Sequence, residues 1–213
     1  MNPILATVLA GALGYLLGGI PFGLIVGRLS GLGDLRQYGS GKTGFTNSLR
    51  TMGVRRAIVV VLGDVSKGAL AVVLARLLFD EPAAAALAGA AAVGGHIYPV
   101  FAGFRGGRGV ATAFGAFLAV SPIVALVVLG LSLAVLATFR YASLMSVTGV
   151  FAGFVVIGVM WALDDINGKY FLLFAIPTMT LVEISHIENI RRLLAGTEPK
   201  LGQGGGRRPA GAS

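Results

Sequence analysis

Apolar runs occupy residues near 3–27, 54–79, 83–102, 110–120, 122–139, 142–163 and 169–186, with short polar stretches between them. A run of roughly 20 apolar residues crosses the hydrocarbon of a bilayer as a helix. The stretch 110–139 admits two readings, one long helix or two helices turning at Ser121-Pro122. Charge discriminates between them, because Lys and Arg collect in cytoplasmic loops. Arg28, Arg36, Lys42, Arg50, Arg55 and Arg56 follow the first run, which puts Asp80 and Glu81 outside and Arg105 and Arg108 inside. A turn at Ser121-Pro122 then returns Arg140 and the carboxyl-terminal segment to the cytoplasm and leaves Asp164-Asp165 outside. Of the 17 lysines and arginines, all but Lys67, Arg76 and Lys169 then face the cytoplasm.

The fold expected on this pattern is an all-α integral membrane protein of seven transmembrane helices, one of them short, with the amino terminus out and the carboxyl terminus cytoplasmic. The short one is 110–120: at ~1.5 Å per residue it cannot cross alone. It is expected to be a half-depth or steeply tilted piece that leaves room for a cavity. Residues 1–200 form a single domain on this reading. The remainder, 201–213, is basic and Gly-rich without a core-forming pattern, and is expected to be disordered. The first run is too long for a signal peptide and lacks a positive n-region, so it should stay attached.

Composition supports the membrane reading. Of 213 residues 55% are hydrophobic and 12% charged, where a soluble domain carries about 25% charged residues. No cysteine is present, which removes thiol catalysis, disulfides and Cys-based metal sites together. The net charge of +8 does not call for nucleic acid: the cations lie in loops beside apolar spans, where they set topology and meet anionic lipid.

Three polar clusters converge on the cytoplasmic side of this topology. The first, "GSGKTGFTNSLR" at 39–50, ends its opening like a phosphate-cradling nucleotide loop. The spacing fails, since Arg36 stands where that motif needs its first glycine, and no strand leads into it. Phosphate remains the fitting ligand class: Gly39 and Gly41 let backbone amides turn toward an anion, Ser40, Thr43, Thr46 and Asn47 add donors, and Lys42 and Arg50 add charge. The plain alternative is a basic Gly-rich linker.

The second cluster runs from His96 to Thr112. Arg105 and Arg108 flank Gly106-Gly107, and Gly109 precedes the short helix. A helix amino terminus behind glycines is a ready anion site; topology-setting arginines on a tight turn are the alternative. His96 reads first as a hydrogen-bonded packing residue, with a direct role in the site as the alternative. The third cluster is "EISHIENIRRLLAGTEP" at 183–199, in which His186 and Asn189 share a helix face. Glu183 and Glu188 read as interfacial partners of Arg191 and Arg192. Within the second run, Asp64 and Lys67 are three apart, the spacing of an intramembrane ion pair, and they support the polar pocket secondarily. Ser143 and Ser146 are either helix-capping hydroxyls or pocket residues.

No Ser-His-Asp order is recognisable, neither histidine begins a histidine-aspartate box, and H-E-x-x-H is absent. A chemistry of positioning and charge, with a donor bringing its own leaving group, suits such a site. The clusters, in this order, closely resemble the bacterial acyl-phosphate-dependent glycerol-3-phosphate acyltransferases of the PlsY family. The matching segments are "GYLLGGIPFGLIVGR", "DLRQYGSGKTGFTNSLRTMG", "GDVSKG", "GGHIYPVFAGFRGGRGVATAFG" and "HIENIRRLLAGTEPKLG".

The resemblance implies transfer of an acyl group from acyl phosphate to the 1-hydroxyl of glycerol 3-phosphate, giving lysophosphatidic acid and phosphate in phospholipid biosynthesis, without metal or cofactor. It matches Ser40, Arg50, Arg108, Ser146, His186 and Asn189 to functional family positions. It also implies that a substrate phosphate takes the hydroxyl proton. The partners expected are acyl phosphate, glycerol 3-phosphate and membrane lipid, with a soluble acyl-phosphate-forming enzyme at the cytoplasmic face of the bacterial inner membrane. The chain departs from the family at Lys42-Thr43, usually Asn-Pro, and at Arg105 and Arg108, often Lys. A transporter for an organic phosphate and a structural membrane subunit are the rival readings. The first lacks an inverted repeat and a polar exit; the second leaves Asp64, Lys67 and His96 without a task.

Overall fold

Three of the helices open on a cap followed by proline. Asn2 accepts the Ile4 amide ahead of Pro3, Glu81 that of Ala83 around Pro82, and Ser121 that of Val124 around Pro122. Proline at the first helical position loses an amide that had no partner anyway, while the capping oxygen satisfies another. The computed structural model describes residues 1–164, 166–203 and 206. Of the expected disordered tail, 204–205 and 207–213 lie outside the described residues, while the Leu201 amide donates to Arg140 O at 2.8 Å.

The helices are α1 (Pro3–Gly18), α2 (Phe22–Leu29), α3 (Phe45–Met52), α4 (Val54–Phe79), α5 (Pro82–Ile97), α6 (Val110–Val120), α7 (Pro122–Phe139) and α8 (Ala142–Ala162). They are followed by α9 (Gly168–Ser185) and α10 (Ile187–Leu194), which bend by 58° at His186. The stretch 110–139 is thus two helices joined at Ser121. Five helical segments among the described residues are long and apolar enough to cross a membrane, six if α9 and α10 count as one bent span, and α6 is the shorter apolar helix.

Two expectations need correction. The run 3–27 is not one helix: it breaks between Gly18 and Phe22, where Pro21 lacks an amide to continue the ladder. The Ile20 carbonyl freed there accepts from Lys67 Nζ at 2.9 Å. The last run is not uniformly α-helical either. It widens to a π-helical stretch at Phe171–Ala175, just before Pro177, whose ring removes the next amide.

Small residues set the packing. The α5 alanines Ala84, Ala85, Ala86, Ala88 and Ala92 are fully buried, and α1 lies close against them, its Gly14 and Gly18 under the carbonyls of Ala88 and Ala92. The crossing of α4 with α6 works likewise, Gly68 lying under the Thr112 carbonyl and Gly115 against that of Val65. Close backbone approach is how helices associate in lipid, where burial of apolar surface gives no driving force. Large side chains such as Ile4, Leu62, Leu77 and Ile123 are left exposed on the outside. Arg76 solves the problem of stopping α6 short: it donates to Ala119 O at 2.6 Å and Val120 O at 3.3 Å and meets the Tyr170 hydroxyl. Without it, the last carbonyls of α6 would lack partners.

Gly68→Val is expected to push α6 off α4, since any Cβ there strikes the Thr112 carbonyl. Overpacking of this kind costs typically ~1–3 kcal/mol. A thermal unfolding midpoint equal to that of the unmodified protein would refute the close crossing.

Candidate active site

Loop 39–50 is organised by one side chain. Asn47 accepts the Ser40 amide at 3.0 Å and donates to the carbonyls of Lys42 at 2.8 Å, Tyr38 at 3.0 Å and Leu35 at 3.3 Å. Gly39 and Gly41 adopt φ of 52° and 70°, which only glycine reaches without strain. Asn47 is therefore fully engaged inside the loop instead of offering a donor to a ligand. Thr43 is buried, its carbonyl lying against Gly23 of α2, and it does not line the cavity. Ser40, Lys42, Thr46 and Arg50 do.

At 105–109 the Gly106 and Gly107 amides are also engaged, donating to Ile97 O and His96 O, each at 3.1 Å. These hydrogen bonds tie the turn to the end of α5, so anion donors must come from the next residues. Gly109 enters α6 with φ 82° and no side-chain cap, which leaves the first-turn amides of α6 open. Neither Gly106 nor Gly107 has room for a Cβ: the first meets His96 O, the second the His96 ring. Arg105 is exposed at the rim, whereas Arg108 is largely withdrawn.

His186 sits at the α9–α10 bend. Its Nδ1 lies 2.8 Å from Val182 O; a carbonyl only accepts, so Nδ1 carries the proton and Nε2 keeps a lone pair. The neighbouring Ser185 hydroxyl lies 2.7 Å from Val182 O and 3.1 Å from Arg108 O, joining α9 to the arginine turn. Asn189 donates to Glu198 Oε1 at 2.7 Å, and Arg192 Nε to Glu198 Oε2 at 2.8 Å. The buried Ser143 hydroxyl faces the same carboxylate without completing a hydrogen bond. Ser146 donates to Ala142 O at 2.8 Å. Glu188 is an exposed partner of Arg191 at 3.0 Å.

All three clusters, with Ser143 and Ser146, border one cavity of about 1240 Å³. Beneath it lies a buried ionic group: Lys67 Nζ is 2.8 Å and His96 Nδ1 3.3 Å from Asp64 Oδ1. Asp64 and His96 touch the cavity and Lys67 lies behind them. The cations above them are poorly compensated. Arg50 and Arg108 each bury an Nε without a partner. Burial holds Arg50 below the ordinary arginine value and takes Arg108 down to about 10, Glu198 opposing both shifts and Arg192 adding to them. Desolvated guanidiniums with free donors form a site for an anion such as phosphate.

The profile of glycerol-3-phosphate acyltransferases matches residues 8–196. The chain belongs to the glycerol-3-phosphate acyltransferase family. A member from Parasynechococcus marenigrum (strain WH8102) is 44% identical over 94% of this chain and 92% of its own length. One from Cereibacter sphaeroides (strain ATCC 17025 / ATH 2.4.3) is likewise 44% identical, over 94% and 92%. Crystal structures of PlsY (YgiH), an integral membrane glycerol 3-phosphate acyltransferase, align closely. Its glycerol 3-phosphate form has a TM-score of 0.83 at 36% identity, covering 94% of this chain and 96% of that one. Its lysophosphatidic acid form has 0.82 at 35% identity, covering 91% and 94%. The chain is an all-α integral membrane protein.

In this glycerol-3-phosphate acyltransferase family member, the residue that sequence reasoning missed is Glu198. It lies beyond the last helix in "AGTEP", and its available signal was an acid within an otherwise basic carboxyl-terminal stretch. Folded, it clasps Asn189 and Arg192 and is the carboxylate facing Arg50 and Arg108. Burial alone would raise its pKa, but hydrogen bonding from Asn189 and Arg192 beside Ser143 holds it below the ordinary value. A depressed carboxylate contributes stability above its unfolded value and loses it as pH falls through the folded one. Glu198→Gln should thus lower stability at neutral pH by about 1.5–3 kcal/mol, the worth of a charged hydrogen bond. Thermal unfolding followed against pH should show the variant approaching the parent only in acid; a constant difference at every pH would refute the clasp.

Proposed function

We propose that the protein transfers an acyl group from acyl phosphate to the 1-hydroxyl of sn-glycerol 3-phosphate, giving 1-acyl-glycerol 3-phosphate and inorganic phosphate for phospholipid synthesis. The observation that carries this reading is the pair Arg50 and Arg108, withdrawn from water with unpartnered Nε atoms at a cavity that is largely apolar along α6, α7 and α8. Such a cavity suits a phosphate joined to a long alkyl chain. The relatives named for this activity, and the glycerol 3-phosphate and lysophosphatidic acid forms of PlsY, support the same substrate pair.

The cations and the open α6 amides hold the donor and acceptor phosphates, and Ser40, Ser143 and Ser146 border them. The acceptor oxygen attacks the acyl carbonyl, the bond from that carbon to the phosphate oxygen breaks, and the hydroxyl proton passes to an oxygen of the departing phosphate. His186 supports this substrate-assisted route: its Nδ1 partner is a peptide carbonyl, not a carboxylate that would stabilise an imidazolium. His186 and Asn189 act as orienting groups. The cavity mouth faces the cytoplasm of a bacterial cell membrane, with the amino terminus out and the carboxyl terminus in. A soluble acyl-phosphate-forming enzyme would deliver the donor there. Transport of an organic phosphate is disfavoured, because the cationic clusters gather at one cavity and the chain shows no inverted repeat.

The test is phosphate release by the purified protein in detergent, with palmitoyl phosphate and glycerol 3-phosphate supplied together and singly, and palmitoyl-CoA as a parallel donor. Release that needs both substrates, with lysophosphatidic acid on thin-layer chromatography, is expected. Equal use of palmitoyl-CoA would overturn the donor assignment, and a folded but inert protein would overturn the reaction.

A further inference from the structure

Beside the ionic group of Asp64 and His96, the cavity extends between α6, α7 and α8 as an arm whose lining is largely apolar. Along α8 its wall passes from Ser143 and Ser146 to Gly149 and Val150, about two helical turns deeper at 3.6 residues per turn. On the opposite side α6 contributes Phe117, which is 1% exposed. Its ring meets Phe174 edge-on at 4.9 Å and lies over Gly153, where any added Cβ would strike it. Packed between Phe174 and Gly153, Phe117 supplies the floor of this arm, with Phe174 behind it and outside the lining.

Partway along the arm α7 and α8 pinch together: a Cβ at Gly149 would meet the Ser132 hydroxyl. Both residues line the cavity. The lateral side differs. Helix α6 packs on α4 and on α7, but α4 and α7 make no comparable interface with each other. Val65 of α4 and the exposed Leu133 of α7 nevertheless border the same space. Laterally the arm is thus bordered by α4 and α7, with α6 packed against both.

We propose that Phe117 and the Gly149–Ser132 pinch set acyl-chain length, with the arm receiving the distal methylenes of the donor chain and of the lysolipid formed from it. This rests on the acyltransferase reading above. The chain chemistry follows from continuity: the arm begins at the phosphate-holding residues, is walled by aliphatic and aromatic side chains, and has a fixed end. An apolar pocket of limited depth discriminates chains by methylenes, each extra or missing one worth about 10–200-fold.

The experiment is a competition. Full-length protein in detergent receives glycerol 3-phosphate with an equimolar mixture of lauroyl, palmitoyl and stearoyl phosphate, and the lysolipids are counted by mass spectrometry. Gly149→Leu fills the pinch, the Ser132 hydroxyl rotating aside, and is expected to lower the palmitoyl-to-lauroyl product ratio at least about tenfold with lauroyl turnover retained. Phe117→Leu lowers the floor and is expected to raise the stearoyl-to-palmitoyl ratio. Product ratios unchanged in both variants, whatever the total turnover, would overturn the assignment. If wild type used only the acyl-CoA thioesters, the donor reading would fail, and the same ratios measured with those thioesters would decide the chain-length role. A wild type inert with every donor would overturn both.

Discussion

Arg50→Ala should reduce kcat/KM with glycerol 3-phosphate and acyl phosphate by about 10²–10³-fold, the usual effect of losing one donor to developing charge. Arg50 stands on α3, half-buried at the cavity wall, with Nε lacking a partner. Because it holds no structural ion pair among the described residues, its removal relieves a desolvated charge and leaves loop 39–50 tied together by Asn47. Folding should therefore be unaffected or slightly improved, and the thermal midpoint of the variant should not fall. Arg50→Lys should recover little, since a compact ammonium cannot reproduce the two-pronged guanidinium contact with phosphate. Steady-state phosphate release checks the prediction; an Arg50→Ala protein with parental kcat/KM would remove Arg50 from the mechanism.

Asp64→Ala is expected to produce the largest loss of stability, roughly 3–5 kcal/mol, by leaving a buried cation unpaired. The carboxylate is 1% exposed and neutralises Lys67, itself 3% exposed. Lys67 in turn satisfies Ile20 O at the break between α1 and α2. His96, also on Asp64, carries the carbonyl that ties down the Gly107 amide. One substitution thus loosens the helix break and the arginine turn together, so glycerol 3-phosphate turnover should fall with stability. The double variant Asp64→Ala, Lys67→Met removes both charges and should be more stable than Asp64→Ala alone, as double-mutant cycles for coupled pairs show. Chemical denaturation of the two proteins in detergent decides it; equal stabilities would mean that Lys67 finds another counter-charge.

Much of the site was readable in advance, because polar groups beside or inside apolar runs are costly and so point to a role. Arg50, Arg108, His186 and Asn189 were candidates on that ground and were singled out by the family resemblance, and they border one cavity. What sequence spacing could not distinguish is a donor aimed at a ligand from one engaged by the chain. Asn47, Gly106 and Gly107 looked like anion donors and instead hold their own turns together. Thr43 turned inward. Glu198 escaped notice because its importance depends on Asn189, Arg192 and the facing arginines arriving around it, and an acid after a basic helix reads the same whether exposed or clasped.

The sequence by itself determined the environment and the order of the helices. Long apolar runs can satisfy their backbone hydrogen bonds in lipid only within helices, and Ser121-Pro122 ends one such helix whatever surrounds it. It also determined that phosphate-binding residue types would gather in the polar segments. The tertiary structure alone decided which cations stay unpaired, what satisfies the carbonyl freed between α1 and α2, and how deep the cavity runs. Those properties depend on contacts between distant segments: Lys67 with Ile20, Arg76 with the end of α6, Phe117 with Gly153 and Phe174. A buried polar atom's free energy is set by the partner it meets, and that partner is chosen by packing, not by its neighbours along the chain.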